Sequence, residues 1–327
     1  MADTVRPHLL LAALGLSAVV AGASRTLLGW VTKADMLSVG ATARDANPTG
    51  AAAFVLASGL GCLVLLRARG SRASDLLVAG AAVPSLLAFA ATVWPWPGLL
   101  ATLWLSWILP VLVGAVAIAR VRPDEERWLP GLPFLYLCGR LLAEPLVGRL
   151  VARMSPDSTR MVVSAALGLV VVGGCVLRAR AGKLTRSAAQ RAPTAAAALA
   201  ALVGLGLAQV IAGSLGRDWA GTPRLSPSVV ALVVVGVSGA ITISLCRIDG
   251  RRGLLLIAAL GAAAPLIVAL LERVGALPSF AGALIQGAMV PVFQGAMLRL
   301  FWTRPNGAAE YGVLAIVAPL MGSLLLG

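Results

Sequence analysis

The sequence predicts an all-α fold, a polytopic bundle of eleven transmembrane helices in two parallel repeats, six helices and then five. Three observations predict it. The chain of 327 residues is 59% hydrophobic and 12% charged, about half the charge of a soluble domain, with mean hydropathy +0.92. Apolar runs of about 20 residues, enough to cross ~30 Å of hydrocarbon, recur along its whole length. The links between them are short and hold Pro, Gly, Asp and Arg, the residues of turns and of the water boundary.

The runs are 8–30, 50–66, 74–92, 98–119, 129–151, 160–178, 194–215, 226–246, 253–271, 279–301 and 308–326. No stretch between them is long enough for a soluble domain. The first run has a second reading. Arg6, the apolar segment Leu9 to Val20 and then Ala21-Gly22-Ala23 also fit a cleavable signal peptide; a retained first helix is the expectation carried forward.

Basic residues set the expected orientation, because cytoplasmic loops collect Lys and Arg. With the N-terminus inside, the inner segments hold Arg6, the group Arg67, Arg69 and Arg72, the group Arg120, Arg122 and Arg127, the run from Arg178 to Arg191, the group Arg247, Arg251 and Arg252, and Arg299 with Arg304. The outer segments hold fewer. The chain is thus expected in a bacterial inner membrane, N-terminus cytoplasmic and C-terminus outside. Only Lys33 and Lys183 are lysines, a bias that suits a GC-rich bacterial genome. Tryptophan prefers the interface, where the ring is buried and its N–H stays wet. Trp30, Trp94, Trp96, Trp128, Trp219 and Trp302 fall at predicted helix ends; Trp104 and Trp107 are internal.

Several function classes drop out. A net charge of +14 on a soluble fold points to nucleic acid, but here the basic residues lie between apolar runs, so nucleic acid is not an expected partner. Cys62, Cys138, Cys175 and Cys246 are far apart and form no CxxC pair, and His8 is the sole histidine. No disulfide framework, metal site or His-dependent catalysis is indicated. The chain has no phosphate-cradling GxxxxGK[ST] and no HExxH. No catalytic residue, metal or cofactor is expected, and no enzyme activity. The acidic group Asp124-Glu125-Glu126 lies between Arg122 and Arg127 and reads as a solvated loop.

The chain repeats itself weakly. Arg67-Ala68-Arg69-Gly70-Ser71-Arg72 and Arg247-Ile248-Asp249-Gly250-Arg251-Arg252 both fit R-x-x-G-x-R, and Pro145-Leu146-Val147-Gly148 and Pro319-Leu320-Met321-Gly322 both fit P-L-x-G, at nearly one offset. The expected organisation is a six-helix bundle over 1–178, a basic cytoplasmic linker over 179–193 and a five-helix bundle over 194–327. Parallel halves joined in this way are a transporter architecture.

On these residues the chain resembles the major facilitator superfamily over nearly its whole length. Gly250-Arg251-Arg252 matches the end of that family's G-x-L-x-D-R-x-G-R-R loop motif, with Asp249 one residue before the glycine instead of three and Arg67 in the first copy where the family has Asp. Glu144-Pro145-Leu146-Val147-Gly148 resembles its G-P-x-x-G-G element, with Glu144 replacing the first Gly. The family has twelve helices against the eleven counted here. The resemblance implies that Arg67, Gly70, Arg72, Asp249, Gly250, Arg251 and Arg252 form a conformational loop motif that latches the halves.

Polar groups inside a membrane are costly and are the default candidates for function. Tyr136, Arg140 and Glu144, spaced i, i+4 and i+8, lie on one helical stripe. They read as a substrate-anchoring charge or a proton-coupling carboxylate at Glu144, or as a structural Arg140–Glu144 pair. Gln286 and Gln294 flank Pro291, which cannot donate a backbone N–H; with Gln209 they are solute-lining candidates or interhelical hydrogen-bond formers. The expected function is ion-coupled or facilitative secondary transport of a small solute by alternating access. The other reading is a non-transporting scaffold, or an integral subunit of a larger membrane complex. Expected partners are the lipid bilayer, a small-molecule solute for a transporter, and other membrane subunits for a scaffold.

Overall fold

In the computed structural model the residues described are 7–38, 73–94, 96–106, 127–180, 227–248, 250–277 and 279–302. Among them are eight helices and no strand: α1 (Pro7–Ser38), α2 (Ala73–Ala90), α3 (Trp96–Ser106), α4 (Gly131–Val151), α5 (Pro156–Arg180), α6 (Pro227–Cys246), α7 (Arg251–Arg273) and α8 (Ser279–Trp302). Each coincides with an apolar run of the sequence. The runs 50–66, 194–215 and 308–326, and residues 107–119 of a fourth, lie outside the described residues. Helix α1 continues eight residues past Trp30, which places that tryptophan inside a helix and not at its end. The apolar run stops where polarity changes, whereas the backbone ladder continues through residues such as Ala34 and Leu37 that favour helix.

Local chemistry sets the helix ends. Ser155 caps α5: its Oγ accepts from the Ser158 N–H at 3.1 Å, Pro156 takes the first helical position and Asp157 the first turn. This is the pattern that satisfies orphan N–H groups and complements the helix dipole. Helix α7 ends at Gly275, whose φ of 71° lets the Ala276 N–H reach back to the Leu271 carbonyl at 2.9 Å, a left-handed closure that glycine adopts at least cost. Hydroxyls within helices mostly bond back to their own backbone. Ser17 donates to Ala13 O, Thr102 to Gly98 O and Ser238 to Val234 O, which keeps a polar side chain satisfied in apolar surroundings.

The chain divides into two units. One comprises residues 1–122 and 138–188, the other residues 123–137 and 189–327. In the first, α1 packs against α3 and α5, and α2 against α3 and α5. Reciprocal hydrogen bonds join α2 to α5. Ser85 Oγ donates to Ser164 O at 2.9 Å and Ser164 Oγ to Ser85 O at 3.0 Å. In the second unit α8 packs against both α6 and α7. Its segment from Pro291 to Leu298 is buried except for Gln294, which is half-buried. Gly261 of α7 receives Phe293, and Gly295 of α8 receives Pro130 and Leu245.

The faces turned away from these contacts are apolar. Leu169 and Val172 on α5, Leu232 and Ile243 on α6, and Leu256 and Leu270 on α7 are each more than half exposed. A surface helix of a water-soluble protein shows the opposite pattern. Among the described residues two segments, Ala12–Thr32 and Pro156–Val176, are long and apolar enough to cross a bilayer by length and composition.

Candidate functional site

Helix α4 carries the polar stripe read from the sequence. Leu132, Tyr136, Gly139 and Ala143, among its buried positions, recur at helical spacing. Gly139 lies directly on α1: a Cβ there would stand 2.1 Å from the Val19 carbonyl oxygen and 3.0 Å from the Ala23 nitrogen. Only a residue without a side chain permits that backbone approach. One residue on, Thr26 Oγ1 of α1 donates to the Arg140 carbonyl at 2.9 Å. Arg140 is half-buried beside this contact and Tyr136 is buried at 7% exposure; both have interaction partners. Glu144 follows one turn later on the same helix. The stripe therefore sits on a helix fixed by a close crossing, which holds a charged group in place at little entropic cost.

The other candidates divide as follows. Gln286 and Gln294 share α8, two turns apart and flanking Pro291. Gln294, like Tyr136, belongs to the second unit, whereas Arg140 and Glu144 belong to the first. Gln209, Arg67, Gly70, Arg72 and Asp249 lie outside the described residues. Of the loop motif, Gly250, Arg251 and Arg252 are described and exposed, with both arginines in the first turn of α7.

The structure also shows contacts that sequence reasoning missed. Pro84 lies inside α2 and cannot donate to the carbonyl four residues earlier, which is that of Gly80. The Trp104 indole of α3 donates to that carbonyl at 3.0 Å, with the ring 2% exposed. Trp104, an exception to the interfacial pattern, is thus the substitute donor for a proline. The signal was present in the pairing of a mid-run proline with a mid-run tryptophan. Arg299, placed in the sequence only as an inner-end cation, donates to the Leu245 and Ile248 carbonyls at 2.9 and 2.6 Å and so closes the C-terminus of α6, where orphan carbonyls and the helix dipole favour a cation.

No family model matches the sequence, and no curated protein is similar to it at the sequence level. Solved structures are similar. One, described as a transporter of the major facilitator superfamily, FucP, in the outward conformation, superposes with a TM-score of 0.66 over 98% of this chain and 91% of that one, at 14% identity. The fold is major-facilitator-like.

Proposed function

We propose that the protein is a multi-pass membrane transporter that moves a small solute by alternating access, ion-coupled or facilitative. The observation that carries this reading is the likeness of the whole chain to a transporter of the major facilitator superfamily. The apolar outward faces of α5, α6 and α7 support a lipid environment, because exposing them to water would be costly.

In this reading the bundles are residues 1–178 and 194–327, joined by the basic linker 179–193. The membrane is a bacterial inner membrane, with the N-terminus cytoplasmic and the C-terminus outside. Arg140 anchors the solute, Glu144 couples the proton or tunes the anchor, and Tyr136, Gln209, Gln286 and Gln294 line the path. Arg67, Gly70, Arg72, Asp249, Gly250, Arg251 and Arg252 set the balance between conformations. A charged group held in a low-dielectric surround is a strong discriminator of solutes. The expected solute is therefore small and carries a group complementary to Arg140.

Solute-dependent thermal stabilisation tests the assignment. A panel of small carboxylates, sugars, amino acids and amines is screened against the purified protein. One class is expected to raise the melting temperature of the native protein and of Glu144→Gln, and to leave Arg140→Gln unaffected. Equal stabilisation of the Arg140→Gln variant would contradict the anchor role.

A further inference from the structure

The link between α6 and α7 gathers three arginines. Arg247 follows the last residue of α6, and Arg251 and Arg252 open α7; all three are exposed. Asp249, between them in the sequence, lies outside the described residues. The link that carries them is held: Arg299 clamps the Leu245 and Ile248 carbonyls, and Ile248 packs where a Cβ on Gly253 would stand, 2.9 Å away.

Arg251 and Arg252 stand at the head of an apolar ridge on α7. Leu255 lies one turn below Arg251, Leu256 one turn below Arg252, and Leu260 one turn below Leu256. They are 48%, 62% and 53% exposed, and the ridge continues through Ile267 at 54% and Leu270 at 64%. Cationic heads above an exposed hydrocarbon-like strip are complementary to a molecule with an anionic head and apolar tails.

We infer that this end of α7 docks an anionic phospholipid. Its phosphate lies against Arg251 and Arg252, with Arg247 beside them, and its acyl chains run along Leu255, Leu256 and Leu260. Guanidinium groups match phosphate oxygens in geometry as well as charge, and basic residues next to a membrane helix select anionic lipid. A free anion would use the arginines alone and leave the ridge unexplained. The inference rests on the membrane reading above, and its test separates the two.

The full-length protein is reconstituted in nanodiscs of mixed phosphatidylglycerol and phosphatidylcholine, and the lipids it retains on release are counted by native mass spectrometry. Phosphatidylglycerol is expected to be enriched. Each lost arginine lowers that enrichment about fivefold, so Arg251→Gln with Arg252→Gln lowers it by more than tenfold. Arg153→Gln, an exposed arginine elsewhere, leaves it unchanged. Leu256→Ser is expected to lower retention of phosphatidylglycerol while leaving the arginines intact. Equal retention of both lipids, unchanged in the double variant, would overturn the dock while the lipid belt itself still supports membrane insertion. Thermal stabilisation by inorganic phosphate equal to that by phosphatidylglycerol vesicles would assign the arginines to a free anion and also overturn it. A protein that retains no lipid and stays dispersed without detergent would overturn the membrane reading instead.

Discussion

At the residue scale, two contacts carry sharp consequences. Gly139 meets backbone, not a flexible side chain, so α1 cannot yield by a rotamer change. Gly139→Ala is expected to cost at least the upper end of the about 1–3 kcal/mol typical of overpacking, read as a fall in melting temperature of the detergent-solubilised protein. Gly131→Ala, where a Cβ meets nothing within 4 Å, serves as its tolerated control. The Trp104 contact gives a cycle. Trp104→Phe leaves the Gly80 carbonyl without its donor, which costs about 1–3 kcal/mol in a buried setting. Pro84→Ala supplies the missing backbone N–H, so Trp104→Phe is expected to be milder in that background. Additive losses would contradict the substitute-donor role.

At the element scale, helix ends are set by small local devices and can be tested one at a time. Gly275→Ala forces an L side chain into a positive φ at about 1–2 kcal/mol. Ser155→Ala removes the α5 cap at about 1 kcal/mol. Both are expected to lower stability without changing solute-dependent stabilisation, and a change in the latter would tie these ends to function. The helices themselves were legible because a period of apolar runs depends only on composition. Runs 74–92, 129–151, 226–246, 253–271 and 279–301 fall within a few residues of α2, α4, α6, α7 and α8. The candidate site was legible in part. The stripe Tyr136, Arg140 and Glu144 follows from 3.6-residue periodicity, but its anchoring by Gly139 and Thr26 does not. Those contacts join residues more than a hundred positions apart, and no local pattern encodes such a meeting. The role of Arg299 was hidden for the same reason: its acceptors are carbonyls, which every residue carries.

At the scale of the whole molecule, a major-facilitator-like fold is reached with 14% identity to the solved transporter. Hydrocarbon asks only that side chains be apolar, and many sequences meet that demand with Ala, Leu, Val and Gly. The fold is therefore more visible in hydropathy than in motif, and the degraded loop copy at Arg67 to Arg72 identified it less well than the succession of runs. Function is narrower than fold, and it rests on whether Arg140 and its neighbours handle a solute.

Flux in proteoliposomes tests that claim most directly. Purified protein is reconstituted, and uptake of a labelled small-solute panel is measured against empty vesicles and against Arg140→Gln. Saturable uptake of one solute class by the native protein is expected, lost in Arg140→Gln; where that uptake follows a proton gradient, Glu144→Gln uncouples it. Saturable uptake of no class by correctly folded protein, with other membrane subunits co-purifying in fixed ratio, would contradict that expectation.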